Sequence, residues 1–461
     1  MIRVHPIAAR RRMAGLSLIE MMIALIMALI VAAGIITVFA STSSSNKVQQ
    51  QMAALQEEGR FAIHSLRNDL ANANGSYCAN TGGNASMVPS GTISLDSLNA
   101  PTVAANTIAS VNAAFADNTT PLDDPGNAFA LPSFLFMRGY DCTAATCSPV
   151  DPHTIVAGIP AMGNAIGDRV RGTSVLTIRY LRPNSGWAIV PPGSAVVGST
   201  ITANPDGSVA SISLNPMAGE PSVATFGAND LAMLADCSAA YVMAVSGQGG
   251  NTLTVTGANY AKPKILDLTS GAAPRVFDFN DDFQTVTYYL KVVCADNSNP
   301  CAHTTGELER RVNGTDQPMV RGIERMDFRY GIIDANGNTK FLTANQVDTA
   351  TDTGGAIPCP PGVQLASNVG YTATTGGGSP DQGCLWRAVK FIEAHILMDG
   401  QAPLYTLTPA EMNYIYSIDG DTTPQLPTDA SRGIQPSAQG FPNQLLRREF
   451  TTVVALRNFN P

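Results

Sequence analysis

The clearest pattern in the chain is an apolar run near its N-terminus. Met21 to Ala40 is a stretch of twenty residues without a charge, which is the length of helix that crosses the hydrocarbon core of a bilayer. The preceding residues, 1–15, carry four arginines and no acid. Gly15, the small residue expected at a cleavage site, lies before the apolar run and not after it as in a secretory signal peptide. The pattern therefore predicts that residues 1–15 are a cleaved leader held in the cytoplasm, and that the apolar helix stays on the mature protein.

Glu20 is the one charge at the start of this apolar segment. A carboxylate inside a membrane helix costs about 2.5–3.5 kcal/mol on insertion scales, and such residues usually have a functional partner. After cleavage at Gly15, the nearest cation is the new α-amine of Leu16. That amine is poorly placed to pair with Glu20 of its own helix, but it can reach Glu20 of a neighbouring helix shifted along the axis. Glu20 therefore predicts a contact between subunits.

An amphipathic pattern follows a serine-rich hinge at 41–45. No proline interrupts 16–72, and apolar residues recur at spacings of three or four beyond the hinge, which predicts one helix about 85 Å long. Its first part, 16–45, is predicted to lie in the membrane or the filament core, and its second part, 46–78, to pack on a sheet in the periplasm. The apolar stripe consists of Met52, Leu55, Gly59, Ile63, Leu66 and Leu70. The polar side of the helix consists of Gln56, Glu57, Arg60, Arg67 and Asp69.

The remaining residues, 79–461, form short apolar runs separated by turn residues, a pattern typical of β-strands. Two stretches of small and polar residues, 79–130 and 345–383, are predicted to be loop excursions with little core of their own. The predicted fold class is α+β, with a long N-terminal helix packed on an antiparallel β-sheet head. Two sheets are expected, because the candidates exceed a usual single sheet. The strand candidates are 133–138, 173–180, 186–191, 208–214, 230–235, 239–245, 251–256, 284–293, 319–330, 339–343, 386–398 and 445–457.

Composition supports a β-rich protein outside the cytoplasm. Charged residues make up 14% of the chain, whereas soluble globular proteins have about 25%. Glycine (41) and proline (30) are abundant instead. The net charge is −8, and no basic stripe follows the leader. Because phosphate binding needs such a stripe, nucleic acid is not expected as a partner.

All eight cysteines lie after the apolar segment, and an even number in an exported protein indicates disulfides. The sequence leaves their connectivity open. A zinc site is not favoured, because no CxxC pair exists and His303 is the only histidine near a cysteine. The simplest pairs are local, Cys142–Cys147, Cys294–Cys301 and Cys359–Cys384, which would leave Cys78 and Cys237.

Signatures of an enzyme are weak. The histidines are scattered and form no HExxH motif, and Ser44–Lys47 fits S-x-x-K without the motifs that accompany it in enzymes. Glu393 and His395 would share one face of a strand at i and i+2, and we interpret that face as solvated. We expect no enzyme activity and no cofactor.

A calcium site is the one metal alternative. Asp334–Asn338 is similar to the start of a calcium loop, with oxygen ligands at alternate positions. The position where a closing glutamate is expected holds Asn345 instead. A tight turn between two strands is the plainer interpretation, because Asn-Gly favours it strongly.

The N-terminal residues resemble the cleavage and assembly motif of type IV prepilins and type II secretion pseudopilins. The resemblance implies cleavage after Gly15 by prepilin peptidase, N-methylation of Leu16, and use of Glu20 to seat the subunit in a growing filament. Leu16 is a departure, since most members have Phe or Met at that position. The residues that carry the motif are Gly15-Leu16-Ser17-Leu18-Ile19-Glu20-Met21-Met22.

Further segments carry a narrower resemblance. They are Ala54–Ala62, Gly172–Tyr180, Ala235–Ser238, Thr287–Leu290, Val320–Gly331 and Arg447–Asn458. These segments are similar to segments of PilW-type minor pilins, and they occur in the same order along the chain. The two loop excursions, 79–130 and 345–383, show no such similarity. A departure is Ser174, where the resemblance would place an acidic residue. The resemblance also implies that Cys78 pairs with Cys237.

The PilW resemblance implies a minor pilin that primes type IV pilus assembly and stays near the pilus tip. The implied partners are other minor pilins, the major pilin, prepilin peptidase, a PilY-type tip adhesin and the inner-membrane assembly platform. The implied location is a single pass in the inner membrane with a cytoplasmic N-terminus before assembly, and the extracellular pilus tip afterwards.

Two alternative functions stay open. A J-type pseudopilin of type II secretion shares the helix and the general head plan, although this head is larger than expected for one. A pilin-anchored adhesin would use the excursions 79–130 and 345–383 to bind a surface or ligand. The final strand candidate, 445–457, has a solvated start and is also a candidate docking edge for a neighbouring pilin.

Overall fold

The structure is a computed structural model. The chain divides into two compact units, Met1–Ala53 and Ala54–Pro461. The residues that the structure describes are 17–73, 75, 77, 101–106, 128–131, 133–223, 226–236, 240–247, 250–263, 274–296, 298–333, 338–349, 383–404 and 407–456.

One long helix, α1, runs from Leu18 to Leu70 and begins and ends within two residues of the predicted limits. Its residues in the second unit bury one stripe at spacings of three and four, as the amphipathic pattern predicts. That stripe consists of Leu55, Gly59, Ala62, Leu66 and Leu70. Among the described residues the other α-helices are single turns, α2 (Pro152–Ile155), α3 (Phe279–Asp282), α4 (Ala344–Asp348) and α5 (Pro409–Met412).

The rest of the second unit is built from strands. They are β1 (Thr102–Val103), β2 (Phe129–Ala130), β3 (Met137–Cys142), β4 (Cys147–Ser148), β5 (Met162–Gly163), β6 (Arg169–Val170), β7 (Val175–Leu181), β8 (Trp187–Ala188), β9 (Thr200–Ala203), β10 (Val209–Ser213), β11 (Ala228–Ala235), β12 (Ala240–Ser246), β13 (Thr252–Val255), β14 (Arg275–Asp278), β15 (Phe283–Cys294), β16 (Thr304–Val312), β17 (Thr315–Arg321), β18 (Ile323–Ile333), β19 (Thr339–Leu342), β20 (Phe391–Asp399) and β21 (Arg447–Ala455).

An eight-stranded sheet, which we call the central sheet, has the order β17-β16-β15-β7-β3-β4, with β6 paired to β15 and β5 paired to β6. Its longest ladder is the hairpin of β15 and β16, which pair along nine residues. The next hairpin turns at Asn313 and Gly314, which both have positive φ. Asn-Gly is the residue pair that a two-residue hairpin turn of this kind favours.

A four-stranded antiparallel sheet has the order β19-β18-β20-β21. The chain enters it at Gly322, between β17 of the central sheet and β18. Gly322 has a φ of +82°, a left-handed conformation that glycine adopts without strain. The close packing of Gln401 against Gly322 also leaves no room for a side chain there.

A nine-stranded sheet forms largely from residues between β7 and β15. We call residues 182–282 the insertion subdomain, because β7 and β15 on either side of it pair directly with each other. The sheet follows the order β8-β14-β11-β12-β13-β10-β9, with β1 beside β12 and β2 beside β1. The insertion subdomain has its own hydrophobic cluster, which includes Trp187, Ile212 and Met243.

The main core joins all three sheets to the buried stripe of α1. Its largest buried side chains include Trp386, Tyr330, Tyr288 and Phe283. Burial of this apolar surface is the dominant stabilising contribution to the fold.

The predicted α+β class with a long N-terminal helix and antiparallel sheets is confirmed, but the expected number of sheets is wrong. The described residues form three sheets instead of two. The excursion at 79–130, which is predicted to have little core of its own, contains two short strands among its described residues. β1 pairs with β12 and β2, and Val103 and Ala105 are buried in the main core. Small residues were sufficient to fill this part of the core, so the low aromatic content was misleading.

Candidate assembly sites

The predicted assembly motif lies at the start of α1. Gly15 and Leu16 are outside the described residues. Glu20 lies exposed in the first turn of the helix, and its Oε2 accepts a hydrogen bond from the backbone N–H of Ser17 at 3.0 Å. An acid in the first turn is also favourable for the helix dipole. Glu20 therefore has a local role as a helix cap in addition to any role between subunits.

The apolar part of α1 fits a membrane anchor. Among the described residues, α1 is the one helix long and apolar enough to cross a membrane, with a mean hydropathy of 2.8 in its most apolar window. None of that window is buried in the protein. Large apolar side chains such as Leu18, Ile36 and Phe39 are 79%, 66% and 74% exposed. These observations are consistent with a single-pass anchor.

The second unit holds its part of α1 through a close contact at Gly59. Gly59 faces the ring of Phe450 on β21, and a Cβ at this position would overlap that ring. Leu55 and Ala62, one turn to either side, are buried in the main core. The absence of a side chain at Gly59 thus allows the helix to lie directly on β21.

We expect Gly59→Ala to destabilise the second unit by about 1–3 kcal/mol, because overpacking a filled contact has that cost. Alanine is otherwise the better helix former, by about 1 kcal/mol. Denaturation of the detergent-solubilised chain would measure the change. In a Phe450→Ala background the same substitution should be neutral or stabilising, and an equal loss in both backgrounds would show that the Phe450 contact is not the cause.

Asp69 anchors the end of α1 to the central sheet. Its Oδ2 accepts hydrogen bonds from Tyr288 Oη on β15 and from Arg310 Nε on β16, each at 2.5 Å. Tyr180 Oη on β7 lies 3.4 Å from Oδ1. Burial, together with Asp69, raises the pKa of Tyr180 to about 12, so this hydroxyl stays a donor.

The sequence pattern places Asp69 on the polar side of the helix, outside the buried stripe, but it does not show that this side chain contacts the central sheet. The signal that could have found it is its position in the last turn, where the helix dipole disfavours an acid unless a cation is near. Arg310 is that cation. A third contact, between Glu58 and the side-chain amide of Gln401, ties the middle of this helical part to the chain after β20.

Buried charges hold the four-stranded sheet to the loop that precedes β21. Glu324 on β18 and Arg447 on β21 form a bidentate ion pair of 2.7 and 2.8 Å, and both side chains are fully buried. Burial raises the pKa of Glu324 to about 7, although Arg447 acts in the opposite direction.

A second buried group lies beside this pair. Arg325 contacts Asp419 at 3.2 Å and Asp327 at 3.1 Å, and its guanidinium stacks over the ring of Tyr416. Tyr416 Oη donates to Asp327 at 2.7 Å. Asp419 and Tyr416 belong to the loop 400–446, so these contacts fix that loop on the sheet. Two segments that carry the PilW resemblance, 320–331 and 447–458, therefore contain charged residues with a structural role. These residues are Glu324, Arg325 and Arg447.

The family comparison agrees with this location. Residues 292–458 match the family model of PilW, described as Type IV Pilus-assembly protein W. The match over these residues supports a PilW-family type IV pilus protein. That family implies a role in type IV pilus assembly. No curated protein and no solved structure matches the chain.

The PilW-family segment begins near the end of β15. It contains the whole four-stranded sheet, the β16–β17 hairpin and the loop 400–446. Asp69 lies outside this segment, but its partner Arg310 lies within it. The segment thus contains the buried ion pair of Glu324 and Arg447 and one of the residues that bind the end of α1.

Two of the predicted disulfides are confirmed. They are Cys142–Cys147 and Cys294–Cys301. The first is supported by Arg169, whose side chain is fully buried, with Nη1 3.2 Å from Cys142 Sγ and Nη2 2.7 Å from Asp151. Cys78, Cys237 and Cys359 lie outside the described residues, and so the pairings Cys78–Cys237 and Cys359–Cys384 stay predictions.

The interpretation of Glu393 and His395 as a solvated face is wrong for His395. Its side chain is 6% exposed, and Nδ1 lies 2.9 Å from Glu449 Oε1 and 3.0 Å from Ser417 Oγ. The loop 400–446 covers this face, which sequence spacing could not show. Serine and glutamate both meet the same ring nitrogen, so the group is not arranged as a nucleophile–base–acid relay.

The predicted metal alternatives gain no support from the described parts of the chain. No group of three or more potential ligands among His, Cys, Asp and Glu exists there. Residues 334–337 of the calcium-loop candidate lie outside the described residues. The strands on either side, β18 and β19, pair with each other from Ile333 and Thr339 onward, as the turn interpretation predicts.

Proposed function

We propose that this PilW-family protein is a minor pilin that primes type IV pilus assembly and stays near the pilus tip. The observation that carries the proposal is one continuous helix that combines two features. It is apolar enough to cross a membrane, and from Ala54 onward it is seated on a β-rich unit that includes the PilW-family segment. A filament subunit needs both an apolar helix and a folded head.

In this proposal three N-terminal residues carry the assembly steps. Gly15 is the cleavage site of prepilin peptidase, Leu16 supplies the N-methylated amine, and Glu20 pairs with the amine of an adjacent subunit. The proposed partners are other minor pilins, the major pilin, a PilY-type tip adhesin and the inner-membrane assembly platform. The chain would lie in the inner membrane before assembly and at the pilus tip afterwards.

A clean deletion, scored for both surface pili and exoprotein secretion, tests the proposal. We expect loss of pili with intact secretion, and recovery when the gene is supplied again. Lost secretion with normal pili would instead indicate the J-type pseudopilin. Normal pili and normal secretion would contradict both. Gold labelling of the complemented strain would test the tip location directly, because label along the whole filament would contradict it.

A second candidate function is adhesion by a pilin-anchored module. The insertion subdomain, with a hydrophobic core of its own, lies outside the segment that matches PilW. Pilus assembly alone does not explain why the chain carries it. Because Leu231, Val242 and Phe277 of this subdomain are also part of the main core, excision would disturb the fold. Substitution of its exposed residues Val196 and Val197 by aspartate should leave piliation intact and reduce attachment, and unchanged attachment would contradict an adhesive role of this surface.

A further inference from the structure

The outer edge of β21 presents a regular row of backbone groups. The N–H of Leu456 donates to the C=O of Lys390 at 3.0 Å, and the N–H of Gly400 donates to the C=O of Leu446 at 2.9 Å. These two bonds mark hydrogen-bonded pairs at both ends of the ladder with β20, whose register has no shift. Because such pairs alternate in an antiparallel ladder, the backbone groups of Glu449, Thr451, Val453 and Ala455 point away from β20.

The side chains along this edge suit pairing with another strand. Thr451, Val453 and Ala455 are exposed, Val453 by 51%, and none of the three is charged. Threonine and valine are also strong strand formers. Among the described residues, no hydrogen bond from another segment reaches the outward backbone groups of these three residues. An edge of this kind is a ready template for another chain.

The other sheet edges of the described chain are protected or short. β17 is seven residues long, but Pro318 removes a backbone donor, and a bulge interrupts its ladder with β16. β9 and β19 have four residues each, and β8 and β4 have two. Among the sheet edges of the described residues, β21 is therefore the long strand whose outer side has neither a proline nor a bulge to prevent pairing with another strand.

We propose that β21 binds an extended strand of a different type IV pilus subunit, which continues the four-stranded sheet as a fifth strand. The partner strand would supply alternating N–H and C=O groups opposite 449–455 and small or β-branched side chains opposite Val453. Four outward residues provide backbone bonds along the strand, which is the usual basis of strand addition.

The choice of a different subunit follows from symmetry. A filament grows through head-to-tail contacts, in which one surface meets another surface of the next subunit. A second copy of this chain would need a second long open edge to receive β21 in that way, and the described residues contain none. A two-fold pair of β21 strands would close on itself and would not propagate.

The test places a photo-cross-linking amino acid, p-benzoylphenylalanine, at Thr451 in the full chain in piliated cells. A matched control carries it at Gln317, on the edge that Pro318 protects. We expect an adduct at Thr451 that mass spectrometry maps to a strand of another pilus subunit, at least about tenfold stronger than at Gln317. Equal labelling at both positions, an adduct between two copies of this chain, or an adduct only with proteins outside the pilus would overturn the proposal.

A pair of variants separates the backbone contact from loss of folding. Val453→Pro removes an outward N–H while the ladder bonds to β20 are made by the neighbouring residues. It should reduce the Thr451 adduct about tenfold, whereas Val453→Thr, which keeps the N–H, should retain it. Both variants should keep the two disulfides and the melting temperature. An undiminished adduct in a folded Val453→Pro chain would refute strand addition. The proposal rests on the role in pilus assembly. If the deletion strain had normal pili, a Thr451 adduct to another pilus subunit would still support strand addition, and only the priming role would be contradicted.

Discussion

An Arg447→Met variant should lose about 3–5 kcal/mol of the free energy of unfolding, the largest stability change that we expect from one substitution in the head. The substitution removes the bidentate partner of Glu324 and leaves a fully buried carboxylate without its cation. It also frees the loop carbonyls of Pro442, Asn443 and Leu445, to which Arg447 donates. Chemical denaturation of the purified chain in detergent would measure the loss.

The neighbouring exposed arginine gives the matched control. Arg448→Met removes the same charge from the same strand and should change the stability by no more than about 0.5 kcal/mol. The double variant Glu324→Leu, Arg447→Met removes both charges and should recover much of the loss. A double variant as unstable as Arg447→Met would show that packing, and not the unpaired carboxylate, is responsible.

The same pair gives a dependence on pH. Burial raises the pKa of Glu324 above that of the unfolded chain, and removing Arg447 takes away the cation that opposes this shift. The folded variant therefore binds a proton more tightly than the unfolded chain does. Its stability should fall as pH rises from about 5 to about 8, where ionisation forces a charge into the core. An instability of Arg447→Met that is constant over this range would contradict that reasoning.

The elements with clear apolar periodicity could be predicted from the sequence, and those with charged residues could not. α1 and the strands at β7, β15 and β21 follow the expected patterns. β16 was missed because it contains Glu307, Glu309, Arg310 and Arg311. The structure pairs each of these charges, with Arg321, Lys291, Asp69 and Asp316 respectively. The Asn-Gly turn that follows β16 was the local signal that could have identified the hairpin.

The sheet assignments depended on contacts that no local pattern contains. β1 pairs with β12, which lies more than a hundred residues later in the chain. β7 pairs with β15, although the insertion subdomain separates these two strands in the sequence. Apolar runs indicated where the longer strands form, but not which neighbours these strands choose. They also gave twelve candidates, whereas the described residues contain 21 strands. The third sheet was therefore outside what the sequence could give.

The candidate sites also differ in whether their residues are close together in the sequence. The assembly motif around Glu20 is contiguous, so the sequence was sufficient to propose it. Asp69 and His395 acquire their roles from partners more than fifty residues away. Ser174, the departure from the family pattern, donates to Asp327 and lies 3.3 Å from Asp141. An acid at position 174 would place a third carboxylate in that buried group, where burial already raises the pKa of Asp141 to about 6.

A Glu20→Gln variant should be processed and inserted normally, but it should enter sheared pili at least about tenfold less than the wild type. The reason is that a carboxylate in the apolar segment is stabilised when it meets the amine of a neighbouring subunit, and an amide cannot make that ion pair. The measurement compares the amount of the chain in sheared pili with the amount in the membrane fraction, and the mass of the mature chain checks processing at Gly15.

Glutamine is the informative substitution because Glu20 also caps its own helix. Its Oε2 accepts the Ser17 N–H, and the amide oxygen of glutamine can accept the same bond. If capping were the whole role of Glu20, Glu20→Gln would assemble like the wild type and Glu20→Ala would fail. If the charge pairs between subunits, both variants fail and Glu20→Asp retains part of the incorporation. Wild-type incorporation of Glu20→Gln would therefore remove the ion pair from the assembly mechanism and leave only the local cap.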